Sequence, residues 1–124
     1  MTVHLDTSAL IDALTGSRRS LETLIGLTHE GHRLSLSGLV LYEWLRGPRK
    51  RAELVAQEEL FPRHAALPFG PAQADIAARL YQTVKNPRGR EIDLAIAANA
   101  LADGAALWTL NRDDFKDIPS LKLF

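Results

Sequence analysis

The chain contains no cysteine, which excludes a disulfide framework, a thiolate metal site and a cysteine nucleophile together. Any site chemistry must come from oxygen and nitrogen ligands. No apolar run approaches the ~20 residues that cross a bilayer, and the N-terminus lacks a basic start followed by a long apolar stretch, so no membrane association is expected and a cytoplasmic setting is the default. Neither charge is in surplus: fifteen Lys and Arg balance fifteen Asp and Glu, so no global field gathers a polyanion. A nucleic-acid partner would have to be held by a local patch. Internal repeats, linkers and low-complexity segments are also missing.

What is present is an ordinary globular composition, 46% hydrophobic and 24% charged over 124 residues, read as a single domain over 1–124. At this length roughly two-thirds of the unfolded surface can be buried without staples. Val3 to Asp6 reads as a strand, and Ser8 to Thr15 as a helix that Asp6 or Thr7 could cap. A second helix follows from Leu21, Leu24, Ile25 and Thr28. Alternation in "RLSLSG", 33 to 38, gives a strand, "LVLYEWLRG", 39 to 47, a helix, and 49 to 60 a charged helix. "ALPFG", 66 to 70, reads as a short strand, and 71 to 85 as a helix with Pro71 in its first turn and Ile76, Leu80 and Val84 on one stripe. After the loop "NPRGR", Glu91 to Ala102 is a helix with a small-residue face; "AALWTL", 105 to 110, and the terminal "LKLF" are strands. Strands alternating with helices imply an α/β fold with a mainly parallel sheet covered on both faces, because parallel neighbours need crossovers. In such sheets ligands sit beyond the carboxyl ends of the strands.

Carboxylates collect at that edge. Asp6 ends the first strand, Glu43 lies in the helix after the second, Asp93 is in the first turn of the Ala-rich helix, and Asn111, Asp113 and Asp114 follow the strand at 105 to 110. Singly, each has an ordinary explanation as a cap, a solvated helix face or a turn residue. Two features weigh against it. Asp93 stands between Ile92 and Leu94, and Glu43 between Tyr42 and Trp44, where an unpaired carboxylate is costly. Carboxylates brought to about 5 Å repel by roughly 3 kcal/mol per pair at an effective dielectric near 20. A hard divalent cation with oxygen ligands would remove that repulsion.

"VHLDTSALIDAL", "LSLSGLVLYEWLRG", "GREIDLAIAANAL" and "LWTLNRDDFKDIPSLKL", in this order over nearly the whole chain, resemble the PIN-domain family, and most closely its VapC-type ribonuclease toxins. The resemblance implies a three-layer α/β/α, Rossmann-like domain. It also implies hydrolysis of RNA by water activated at Mg²⁺ or Mn²⁺, leaving a 3′-hydroxyl and a 5′-phosphate. The family's acids carry over to Asp6, Glu43 and Asp93: Asp6 and Asp93 as principal metal ligands, Glu43 as ligand or activator of the water. The family's Thr-x-Asn/Asp-x-x-Asp/Glu-Phe segment maps onto Thr109, Asn111, Asp114 and Phe115. Asn111 is an amide, so Asp114 is preferred as fourth ligand over Asn111 and Asp113. Thr109 and Asn111 would orient the site, and Ser8 either donates to a phosphate oxygen or caps a helix. The loop before Asp93 departs from the family pattern in carrying Arg88 and Arg90.

Arg outnumbers Lys eleven to four. Arg46, Arg49, Lys50 and Arg51 in "RGPRKR", with Arg88, Arg90 and Arg112 near the expected site, are candidate phosphate contacts. By the same resemblance a VapB-like antitoxin would bind near the active site, against a groove of Leu41, Trp44, Leu45 and the helix at 49 to 60, and the chain would form a homodimer or a toxin–antitoxin hetero-oligomer. Trp44 itself is expected in the core, and Tyr81 and Trp108 in the core or a dimer interface. Two rivals remain. A catalytically inactive PIN-like module would bind RNA or protein without cutting it, which the acids at 6, 43 and 93 oppose. A signalling receiver would want paired acids after strand one and a Lys after a late strand, where this chain has Asp6 alone and Leu110.

Overall fold

Thr2–Leu5 carries bulky side chains on both faces, and in the computed structural model, which describes Met1–Phe124, it forms the central strand β1 with Val3, His4 and Leu5 buried. Burial on both faces suits the middle of a parallel sheet. β2 (Arg33–Ser35) and β3 (Ala106–Trp108) flank β1 in parallel, in the order β2-β1-β3, so that Val3 faces Leu34 on one side and Ala106 on the other. The first connection holds α1 (Thr7–Leu14) and α2 (Leu21–His29). The second holds α3 (Gly38–Arg46), α4 (Arg51–Leu60), α5 (Pro71–Thr83) and α6 (Glu91–Ala102). Parallel crossovers are right-handed and these two run toward opposite edges, so they cover opposite faces and give the three-layer α/β/α arrangement.

One cluster of 21 buried residues forms the core, from Val3 and Leu5 through Val40 and Trp44 to Phe115 and Ile118. Trp44 is fully buried, as expected, and Trp108 nearly so, whereas Tyr81 is 40% exposed on α5. In α6, Leu94, Ile96, Ala97, Ala98 and Ala100 are all buried, so this helix is enclosed on several sides and α5 packs along it. No helix is long and apolar enough to cross a membrane.

Element boundaries differ from those read in the sequence. β2 stops at Ser35 rather than 38, since Ser37 caps α3, and the charged helix starts at Arg51 rather than 49. "ALPFG" makes a single parallel bridge, Leu67 to Ser37, because its partner segment turns into α3 at Gly38 and offers no further strand to pair with. "LKLF" is likewise one bridge, Leu123 to Leu107. The helix 71 to 85 stops at Thr83, with Val84 extended and Asn86 at φ 53° ahead of Pro87. The strand 105 to 110 shrinks to Ala106–Trp108, because the backbone N–H groups of Leu110 and Asn111 turn to the side-chain hydroxyls of Ser8 and Thr109.

Candidate active site

The strand that ends early ends at the site. Asp6 remains attached to the sheet through its N–H, which donates to the carbonyl of Trp108 at 2.8 Å, and its side chain is only 4% exposed. It occupies the N-cap position of α1 with extended backbone (φ −75°, ψ 159°), yet its carboxylate does not cap the helix. Instead Oδ2 accepts hydrogen bonds from Thr109 Oγ1 at 2.8 Å and Ser8 Oγ at 2.9 Å. The two hydroxyls lie 3.2 Å apart and accept from the N–H groups of Asn111 and Leu110, both at 3.0 Å. Each hydroxyl has one proton, so with those protons on Oδ2 the Oδ1 oxygen is left without a protein donor.

Glu43 reaches the same place from α3. Ser37 caps that helix by accepting from the Val40 N–H at 3.2 Å, and Val40 and Trp44 bury its inner face. Thr7, the first residue of α1, donates to Glu43 Oε1 at 2.6 Å, and Arg46 donates to Oε2 at 3.3 Å. The β1–α1 turn is thereby tied to α3.

Asp93 is half-buried in the first turn of α6, and its carboxyl is pushed up to about 6. Burial is the largest cause; repulsion from Asp6, Asp114 and Glu43 follows, and only Arg90 works in the opposite sense. Asp93 therefore lies in the field of three acids from three other segments. Asp114 is exposed on a 3₁₀ turn, Arg112–Asp114, anchored from beneath by the buried Phe115 and Ile118. Asp113 points to solvent and pairs with Lys116 at 3.2 Å. Asn111 stands exposed at the start of the turn.

The basic residues do not form one patch. Arg46 lies beside Glu43 and over the Tyr42 ring at 5.3 Å. Arg49 folds inward, stacked over Trp44 at 4.3 Å with Nε donating to the Trp44 carbonyl. Lys50 and Arg51 are exposed at the start of α4, Arg88 is exposed in its loop, and Arg112 donates to the Phe124 carbonyl. Arg90 is engaged by Asp117 and two carbonyls; the hydrogen bond to Asp117 holds its guanidinium above its usual range, and the same bond to Arg90 holds the Asp117 carboxyl below its own. Trp44 lies in the core, as expected, beneath a shallow surface depression of Gly38, Leu41, Tyr42, Leu45 and Arg46.

Sequence reading missed two contributors, Thr7 and Asp117. Thr7 is in the quoted "DTS", but its partner is 36 residues away; Asp117 is 27 residues from Arg90. Spacing carries no signal over such distances.

No group of three or more His, Asp or Glu side chains is gathered tightly enough to hold a metal ion outright. The donor chemistry nevertheless fits a hard divalent cation: the donors are all oxygen, Asp6 has a free Oδ1, and three carboxylates raise the fourth. Asp6, Glu43, Asp93 and Asp114 would be the donors of such an ion, drawn closer together than they stand here.

Comparison with known proteins agrees with this fold. The family model described as "PIN domain" matches residues 3–121. Ribonuclease VapC19 of Mycobacterium tuberculosis is 33% identical over 125 residues, covering 95% of each chain. Among solved structures, DNA-bound VapBC from Salmonella typhimurium is similar at TM-score 0.76 and 21% identity, over 100% of this chain and 97% of that one. FitAcB from Neisseria gonorrhoeae gives 0.74 and 23%, over 98% and 96%. On the length of the family match and the identity to a VapC ribonuclease, this chain belongs to the PIN-domain family, among its VapC-type proteins.

Proposed function

We propose that the chain, as one PIN domain over residues 1–124, is a Mg²⁺-dependent endoribonuclease and the toxin half of a cytoplasmic toxin–antitoxin pair. The observation that carries this reading is Asp93. Its carboxyl is raised first by burial and then by three other acids, each from a different segment, with one cation opposing. A bound Mg²⁺ or Mn²⁺ would neutralise these acids and the scissile phosphate and acidify a water molecule. Asp6 offers Oδ1 while Ser8 and Thr109 fix Oδ2; Asp93 supplies the second principal ligand. Glu43, whose Oε1 accepts from Thr7, would hold the ion or accept the proton of the attacking water. Asp114 completes the acidic set from the 112–114 turn, and Thr109 and Asn111 keep that turn in register through the Asn111 N–H. Attack of water on phosphorus would break the bond to the 3′-oxygen, which would take up a proton, leaving a 3′-hydroxyl and a 5′-phosphate. Arg46, Lys50, Arg51, Arg88 and Arg112 have exposed side chains able to meet RNA phosphates.

The similar solved structures include complexes of VapC-type toxins with their partners, and this chain is assigned a VapB-like antitoxin by the same likeness. The exposed Tyr42 and Leu45, next to Glu43, are its docking point. The exposed Tyr81 and Phe69 between α5 and α6 suit a second copy of the chain. The test is incubation of end-labelled bacterial RNA with the antitoxin-free protein in Mg²⁺, in Mn²⁺ and in EDTA. Discrete bands in either metal and none in EDTA are expected. Intact RNA in every lane would instead favour the non-cutting binding module.

A further inference from the structure

Arg90 lies at the centre of contacts that the catalytic scheme leaves unused. It is the N-cap residue of α6: its N–H donates to the Pro87 carbonyl at 2.9 Å and its carbonyl accepts from Leu94 at 2.9 Å, so its backbone is fixed to the start of the helix that carries Asp93. Its guanidinium crosses to the other acidic segment. Nη1 donates to Asp117 Oδ2 at 2.9 Å and Nη2 to Asp117 Oδ1 at 2.7 Å, a bidentate fork, and Nη2 also donates to the Asp114 carbonyl at 3.0 Å. Nη1 reaches back to the Lys85 carbonyl at 3.3 Å. The side chain is 22% exposed. The 84–90 loop and the segment that holds Asp114 and Asp117 thus meet on one planar group, which the Arg90 backbone fixes to the start of α6.

The planar fork restricts orientation as well as distance, which a single ammonium contact does not. Asp114 itself is exposed, and Phe115 and Ile118 anchor only the inner side of its turn. The outer side is anchored by Arg90. We propose that the Arg90–Asp117 pair is a positioning clamp that sets the Asp114 turn against Asp93 and so fixes the separation of two acids of the proposed metal centre, rather than a contact to RNA. This rests on the nuclease reading above. The clamp is distinct from the basic residues with free side chains, because its charge is satisfied within the protein.

Four variants test it: Arg90→Gln, Arg90→Lys, Asp117→Asn and the double Arg90→Gln/Asp117→Asn. Two quantities are read, Mn²⁺ affinity of the RNA-free protein by isothermal titration and steady-state KM and kcat on RNA, with thermal melting to confirm the fold. Loss of an outer-shell positioning partner weakens metal binding by about 10- to 100-fold. Arg90→Gln and Asp117→Asn are each expected to do so with little change in KM at saturating metal. The double variant is expected to be no worse than the weaker single, since either change opens the same clamp. Arg90→Lys is expected to restore part of the affinity, lacking only the bidentate geometry. An RNA-contact role predicts the opposite pattern: Arg90→Gln raises KM, and Asp117→Asn, which frees Arg90, leaves or lowers it. That pattern overturns the clamp, as does a lowered melting temperature with unchanged Mn²⁺ affinity. Wild-type protein that neither binds Mn²⁺ nor cuts RNA would sink the nuclease reading and the clamp with it; wild type active in both assays, with unaltered variants, sinks the clamp alone.

Discussion

Thr109 is the residue on which Asp6 most depends. It is buried, its hydroxyl donates to the carboxylate, and the same oxygen accepts the Asn111 N–H that turns the chain out of β3. Thr109→Val keeps the shape and removes both bonds. Leaving a buried acceptor without its donor costs about 1–3 kcal/mol, and cleavage should fall by about 10- to 100-fold, as for other outer-shell partners of metal ligands. Chemical denaturation and RNA cleavage on the same preparation check the two numbers. Asp93 acts in the other direction on stability. Its folded value is about 6 against an ordinary 3.8. Between those pH values the folded, metal-free protein holds more proton at Asp93 than the unfolded chain does, so this group makes stability fall as pH rises through the window. Asp93→Asn removes the effect. After discounting for the half of the group facing water, the gain is about 1 kcal/mol at pH 7.5, or about 3–5 °C in melting temperature, with no difference from wild type near pH 4. Equal melting temperatures at both pH values would mean that the raised carboxyl is not at Asp93.

At the scale of elements, α6 combines an enclosed interior with an acid at its start. Ala97 and Ala100 are fully buried there, where α5 and the sheet approach closely. Ala97→Leu inserts a side chain for which there is no room and should cost about 1–3 kcal/mol, measured by urea denaturation. The composition of this helix was legible: a stretch of Ala, Leu and Ile without a polar face has to be packed on several sides, and Asp93 inside it then demands an explanation. Trp44 in the core and Asp6 at a strand end could be read in the same way. What could not be read is where local and distant partners compete. The strand at 105 to 110 has the composition to continue, but Ser8, about a hundred residues earlier, takes the Leu110 N–H. "ALPFG" has the composition of a strand as well, but its partner leaves the sheet for α3 at Gly38, so one bridge is all it makes. Asp6 was read as an alternative cap for α1, and only the approach of Thr109 and Ser8 shows that its carboxylate is held elsewhere. Contacts such as Thr7 with Glu43 are set by the packing of α1 against α3 and leave no pattern in the chain.

For the whole molecule, zero formal net charge confines RNA binding to the local basic residues. Each single-strand phosphate contact contributes about −0.7 to the slope of log K against log salt. Replacing Lys50 and Arg51 together by Gln should make that slope shallower by about 1 to 1.5, read by fluorescence anisotropy in EDTA so that cutting does not interfere. An unchanged slope would remove the start of α4 from the RNA surface. The central claim is that Asp6, Glu43, Asp93 and Asp114 form one divalent-metal centre that cuts RNA. Its most direct measurement is the single-turnover cleavage rate as a function of Mg²⁺ concentration, for wild type and for Asp93→Asn. The account predicts a saturable Mg²⁺ dependence in wild type and a rate at least about a hundredfold lower in the variant. Cleavage by wild type that persists in EDTA, or a variant that cuts at the wild-type rate, would contradict it.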